Sequence, residues 1–364
     1  MSPVTQAMLA TRLCGWQVTV DAQGPHTLAA ELDAAMADTM RRFGVRSAAL
    51  AIARGGVVLV SRGYTWAEPW FPVTQPTALF RQASVSKLFT SAAAQALHDD
   101  NVMGLDTPMF GFLGVSTPLP SDVSVDSRVA RITLRHATTR TTGMHRDLFG
   151  RRPDGTDRDA TMRDVALVAG RLGPPTPDDV VRYAYGMPLV IDPGSMIGDG
   201  YSNVAFFVLG AVIERTVGQP IDAYIRQRLL APFGVSDLVV ARTAVGQRFP
   251  GEAPGYDSSN AGPSMLDTSG VWAPGAYGGS FALEVAPAAG GFATSVTTVA
   301  RFIGSHAVWD LGPRPIATAI RYGDFIDTFP QPLMPHDNIA HGNTMACDTG
   351  FSPGNIRPRF HVLI

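Results

Sequence analysis

The chain has 364 residues, 45% of them hydrophobic and 16% charged, a make-up that fits a globular protein with a substantial core in one large domain or two. A formal net charge of −2 at pH 7 leaves no basic footprint for nucleic acid. Two cysteines, Cys14 and Cys347, make no disulfide framework and, with no histidines beside them, no zinc site.

The first twelve residues lack the basic start and continuous apolar run of a signal peptide, and no window reaches membrane length, so a cytoplasmic protein without membrane contact is expected. From Thr27 to Phe43, Leu28, Leu32, Ala35, Met36 and Met40 recur at helical spacing and predict an amphipathic helix. Ser47 to Ala53 and Val57 to Ser61 read as strands around the Arg54-Gly55-Gly56 hairpin turn. Gly63-Tyr64 and Trp66 to Phe71 read as a connection.

Lys87 is the only lysine of the chain, and it stands in Ser84-Val-Ser-Lys87 at the head of an apolar run. Leu88 to Leu97 contains no Gly, Pro or charge and reads as a helix buried on most sides. An ammonium buried there costs several kcal/mol unless it is paired or its pKa is pulled toward neutrality. Residues three apart share a helix face, so the Ser84 hydroxyl and the Lys87 amine can meet. The positive end of the helix dipole disfavours the ammonium and stabilises charge developing on the serine oxygen. Ser86 is the rival hydroxyl, but adjacent residues do not face each other. The structural alternative has Ser84 capping the helix and Lys87 snorkelling to water.

Asp99-Asp100-Asn101 ends that helix, and Gly104 to Pro108 marks a turn. A short helical element begins at Thr133 to His136 and closes at Thr142-Gly143-Met144. One helix is expected over Thr161 to Leu172, within a polar segment from Arg151 to Asp179. Asp192 to Asn203 is a glycine-rich loop leading into the apolar helix Val204 to Val217. In an extended Tyr201-Ser-Asn203 the first and third side chains point the same way, whereas the structural alternative has Ser202 or Asn203 capping the helix. Pro220 to Leu230 reads as another amphipathic helix. Residues 248–280 are dense in Gly, Pro and Ser with interspersed aromatics, as in loops that wall a substrate cleft. A helix follows from Val296 to Ile303, periodicity is poor from Gly304 to Ala340, and Arg359 to Ile364 reads as a strand.

Several chemistries are missing. There is no Gly-x-Ser-x-Gly elbow, no P-loop and no dinucleotide-binding glycine motif. The histidines do not cluster at metal-ligand spacing, and His136 and His145 read as structural. No cofactor and no metal are expected.

Ser84-Val-Ser-Lys87 and Tyr201-Ser-Asn203 resemble the first two motifs of the serine β-lactamase-like superfamily, which includes class C β-lactamases, penicillin-binding DD-peptidases and family VIII carboxylesterases. The flanks agree: Phe80-Arg-x-Ala-Ser, Leu105-Asp-x-Pro, Asp192-Pro-Gly-Ser, Thr216-Val-Gly-Gln-Pro, Pro232-Phe-Gly and Ala289-Gly-Gly-Phe-Ala-Thr-Ser. The resemblance implies an α+β fold, an antiparallel sheet flanked by helices, assembled from both chain ends around an inserted, mostly helical region. The expected division is 1–80 and 285–364 for the sheet domain, with 81–284 carrying both motifs. It further implies Ser84 as acyl-accepting nucleophile, Lys87 as its proton acceptor and Tyr201 as proton shuttle to the leaving group. Asn203 would contact a substrate carbonyl or orient the lysine, and the Ser84 N–H would be one oxyanion donor.

The third motif departs from the family pattern, because the single lysine is already used. By flanks the match is Asp348-Thr349-Gly350-Phe351, with the Phe351 N–H as second oxyanion donor; by lead residue it is His341-Gly-Asn343. The first is the preferred match, and its aspartate would repel the carboxylate of penicillins and D-Ala-D-Ala peptides. Family members usually continue past the point where this chain stops, so a shortened relative is expected. The expected function is serine hydrolysis of carboxylic esters through an acyl-enzyme, with a small-molecule ester or amide as partner. β-Lactamase or D-amino-acid peptidase activity is the runner-up, and a non-catalytic binding protein on this fold is the rival of another class.

Overall fold

A computed structural model describes residues 15–23, 26–54, 56–151, 157–159, 161–195, 198, 200–254, 261–266, 270–279, 281–285, 287–305, 346–347 and 361–363. The chain folds as an α+β protein around a five-stranded antiparallel sheet. Strands β1 (Gly15–Gln23), β2 (Ser47–Arg54) and β3 (Val57–Ala67) come from one end of the chain, and β7 (Ala346–Cys347) and β8 (His361–Leu363) from the other. Their order across the sheet is β1-β3-β2-β8-β7. Helix α1 (His26–Phe43) lies against β1 and β3.

Strand alternation decides what β2 faces. Leu50 and Ile52 pack with Met36 and Met40 of α1, beside Val60, Tyr64 and Trp66 of β3. Ala49, Ala51 and Ala53 point into the larger core, where their small side chains let helix α9 (Val296–Ser305) approach the sheet. The sheet is thus covered on both faces.

Below the sheet sits helix α2 (Ser86–Asp99), preceded by β4 (Phe80–Arg81) and a 3-10 turn, Ala83–Val85. Along α2 every residue from Ser86 to Ala94 is buried, and the Phe89 ring packs tilted against Phe302 of α9 with ring centroids 4.7 Å apart. Beyond it come α3 (Leu134–Thr138), α4 (Met162–Val168), α5 (Pro177–Gly186) and α6 (Asn203–Val217). The Ser202 Oγ caps α6 by accepting from the Ala205 N–H at 3.1 Å, and Gly218 closes it in the left-handed conformation. Helix α7 (Ile221–Tyr224) continues through the wider turns of Ile225–Leu230. Strand β5 (Val239–Val240), the short turn α8 (Pro287–Gly290) and β6 (Phe292–Thr294) follow, and β4, β6 and β5 form a three-stranded sheet in that order.

Four elements differ from the expectation. Strand β1 was not expected, although Trp16, Val18 and Val20 alternate with polar residues. It pairs with β3 along its length. Strand β3 runs through Gly63 to Ala67 instead of ending at Ser61: a Cβ at Gly63 would lie 2.7 Å from the Gln75 carbonyl carbon, so this glycine admits a crossing chain and does not break the strand. Helix α4 stops at Val168 and not at Leu172, with Gly170 in the left-handed region behind it. The expected single helix Pro220 to Leu230 is the α7 turn followed by the wide turns. Segment 248–280 is anchored three residues before Ser84, where Arg81 pairs with the buried Glu252 at 2.7 Å and lies 4.3 Å from the Tyr277 ring centre.

Candidate active site

Ser84 lies in the 3-10 turn that feeds α2, and the turn is held from both sides. The Gln82 N–H donates to the Phe292 carbonyl at 2.8 Å, and the Gln82 side-chain amide donates to the carbonyls of Phe80 and Thr294. Ala83, the residue before the serine, has φ +42, a strained value for an alanine that this web of bonds enforces. The rival hydroxyl, Ser86, is fully buried and accepts from the Phe292 N–H at 3.2 Å. Ser84 caps nothing, since the α2 N-cap, Val85, has no side-chain bond.

One turn on, Lys87 is 1% exposed, so it does not snorkel. Its amine donates to Ser84 Oγ at 3.2 Å and to the Ala289 carbonyl of α8. A cavity of about 10 Å³, room for one water, adjoins it among Arg140, Gly200, Tyr201 and Phe206. Burial lowers the Lys87 pKa to about 7, with Asp147 acting upward and Arg146 and Arg140 downward. Near pH 7 a large fraction of this amine therefore has a free lone pair, which can accept the Ser84 proton.

The α6 cap delivers the third group. Gly200 has φ +61, and a Cβ there would lie 3.1 Å from the Arg140 carbonyl carbon, so glycine lets the loop close against residue 140. Tyr201 then places its hydroxyl in hydrogen-bond contact with Ser84 Oγ, and its ring centre 4.9 Å from the Lys87 nitrogen. Burial is the largest influence on the phenol and raises its pKa, against smaller lowering by Ser84, Arg146 and Arg140, so it is a neutral proton carrier at pH 7.

Ser84, Lys87 and Tyr201 are thus one contiguous group. Asn203 sits apart from it in function: its amide donates to Asp147 Oδ1 at 2.6 Å and not to Lys87, and its N–H donates to the Arg146 carbonyl at 2.6 Å. His341, Asp348, Thr349, Gly350 and Phe351 lie outside the described residues. In sequence, Asp348 follows directly on the edge strand β7. Among the described residues no group of three His, Cys, Asp or Glu side chains could hold a metal ion.

Sequence reasoning missed the Ala289 carbonyl and the Arg140, Arg146 and Asp147 side chains. A backbone acceptor leaves no residue-type signature, although the Ala-Ala-Gly-Gly run at 288–291 does mark a place where chain can pack against chain. Nothing in Arg146-Asp147 announces a role before the fold sets it beside Tyr201.

Esterase EstB of Burkholderia gladioli is 31% identical over 263 residues, 72% of this chain and 62% of that protein; the chain spans about three fifths of that relative's length. Penicillin-binding protein 4 of Amycolatopsis lactamdurans is 28% identical over 43% of this chain and 35% of its own. Among solved structures, EstCE1, a hydrolase with promiscuous acyltransferase activity, matches with TM-score 0.54 at 21% identity over 81% of this chain and 76% of its own. The octameric penicillin-binding protein homologue from Pyrococcus abyssi matches with TM-score 0.52 at 20% identity over 80% and 58%; both likenesses are of fold. The Beta-lactamase family model matches residues 32–325, and the chain belongs to the β-lactamase family.

Proposed function

We propose that the protein is a serine hydrolase acting on carboxylic esters through an acyl-enzyme on Ser84. The observation that carries this reading is the Lys87 amine, buried and 3.2 Å from a serine hydroxyl that also touches the Tyr201 phenol. Similarity to an esterase at 31% identity supports the ester over the amide.

The proposed steps assign each proton to a residue of this site. Ser84 Oγ attacks the ester carbonyl carbon as its proton passes to Lys87 Nζ. The developing oxyanion takes the Ser84 N–H, the donor implied by the family likeness; one such donor is worth about 10²- to 10³-fold in rate. Collapse expels the alcohol, whose oxygen receives a proton from Tyr201, and the phenol is recharged from the Lys87 ammonium. Water, or a second alcohol, then attacks the acyl carbon by the reverse path and restores Ser84. Transfer to an alcohol would give acyl exchange at the same site.

Turnover of a p-nitrophenyl acyl ester by the wild type and by Ser84→Ala tests the reading. Loss of at least about 10³-fold in the variant is expected, and equal turnover would reject it. Nitrocefin hydrolysis more efficient than that of simple esters would move the reading to a β-lactamase. A folded protein that a fluorophosphonate fails to label at Ser84 would move it to a binding protein.

A further inference from the structure

Tyr201 has no covalent reason to stay on Ser84; the loop that carries it must be held from outside. Directly after Tyr201, Ser202 and Asn203 make three hydrogen bonds that reach one tripeptide. Ser202 Oγ donates to the His145 carbonyl at 2.7 Å, the Asn203 N–H to the Arg146 carbonyl at 2.6 Å, and the Asn203 amide to the Asp147 carboxylate at 2.6 Å. Only the last is made by a side chain on the tripeptide, so it is the one tie that a substitution within the tripeptide cuts directly. The same tripeptide carries charge to the site. Arg146 lies 5.2 Å and Arg140 5.9 Å from the Tyr201 ring centre, and Arg146 pairs with Asp147 at 3.5 Å.

We propose that Asp147 is a positioning residue: through Asn203 it holds Tyr201 against Ser84, and its carboxylate is the counter-charge to Arg146 and Arg140 around the Lys87 amine. The proposal rests on the hydrolase reading for its kinetic consequences but not for its physical ones. Asn203, which the family likeness casts as a contact to substrate or lysine, is on this view the link between a charge and the phenol.

The two halves separate by substitution. Asp147→Asn keeps an oxygen that accepts from Asn203 and removes the charge; Asp147→Ala removes both; Arg146→Gln removes the opposing charge. Among the described residues, the charged groups acting on the amine are Asp147, Arg146 and Arg140, with Tyr201 and Ser84 its hydroxyl neighbours and the Ala289 carbonyl its acceptor. Removing the carboxylate disfavours the ammonium, and removing a guanidinium favours it. The Asp147 side chain is 44% exposed, so solvent screens its effect on the amine.

Because Lys87 is the only lysine, the whole chain labelled with ¹³C at the lysine ε carbon, on a lysine-free tag, gives one resonance. Its titration midpoint, expected at about 7 in the wild type, should fall by roughly half a pH unit in Asp147→Asn and rise by a similar amount in Arg146→Gln. The ring-current displacement of the Lys87 ε protons, which reports the Tyr201 ring, should persist in Asp147→Asn and shrink in Asp147→Ala. If the wild type turns over esters, kcat should be about tenfold lower in Asp147→Ala than in Asp147→Asn. Midpoints that stay put or move the same way in both charge variants would overturn the charge half. A ring-current displacement equal in Asp147→Ala and Asp147→Asn would overturn the positioning half. A wild type inert to esters would sink the hydrolase reading instead, while both resonance measurements would still decide the proposal.

Discussion

Lys87 shows what a single residue contributes and what it costs. Its pKa falls from near 10.5 to about 7 because burial strips water from the ammonium. Between those values the unfolded chain holds a proton that the folded chain does not, so stability rises with pH across that window. Below about pH 7 both states are protonated and the full penalty of the buried charge applies, on the order of 4 kcal/mol. Lys87→Met, which fills similar space without charge, loses the bond to the Ala289 carbonyl, worth about 1 to 3 kcal/mol. It should therefore be more stable than the wild type by about 2 kcal/mol at pH 6, with the difference falling through zero as pH rises and reversing toward pH 10, where only the lost bond counts, while ester turnover disappears. Urea unfolding at the two pH values checks this. A variant less stable than the wild type at pH 6 would mean that the ammonium is compensated inside the protein.

Between elements, α8 is the part whose displacement should matter most. It is a four-residue turn wedged between α6 and α2, and its successive carbonyls serve α2: Ala288 accepts from Thr90 Oγ1 at 2.8 Å, and Ala289 accepts from Lys87. On its other side, a Cβ built at Gly210 of α6 would stand 2.5 Å from the Ala288 Cβ. Gly210→Ala should push α8 toward α2, lowering stability by about 1 to 3 kcal/mol and kcat with it. Gly246→Ala, where a Cβ meets nothing within 4 Å, should change neither. Thermal unfolding and ester kinetics on both variants read this, and a Gly210→Ala enzyme of normal kcat would detach α8 from catalysis. Elements were legible where pattern and packing agreed: α1, α2, α6 and α9 all stand where apolar spacing put them. Gly63 misled because a glycine that admits a crossing chain looks, in sequence, like one that ends a strand. The expected start at Thr161 is the α4 cap, but the helix's end depended on Gly170 and not on the apolar residues beyond it.

At the scale of the molecule, β2 joins the two ends of the chain, pairing with β3 on one side and with β8, some three hundred residues later, on the other. Strand β8 lies between β2 and β7, and Val362 has a partner on each side, Ile52 and Cys347. Val362→Pro removes its backbone N–H and should cost about 3 kcal/mol, seen as a lower unfolding midpoint. An unchanged midpoint would mean that the sheet is held by its helices alone. The candidate site also joins distant parts of the chain, with Lys87 and Ala289 202 residues apart, and its legibility followed its chemistry. Ser84 and Lys87 could be read from a lone lysine three residues past a serine, and Tyr201 from its place before an apolar helix and the family likeness. Asp147 and the Ala289 carbonyl could not be read, because they act through pairings of one loop with another. Intact-mass and peptide mass spectrometry of the protein quenched during reaction with p-nitrophenyl acetate tests the central claim most directly. One acetyl group on the peptide containing Ser84, missing in Ser84→Ala and Lys87→Met, is the predicted result. An adduct on Ser86 or Tyr201, or its persistence in Lys87→Met, would contradict it.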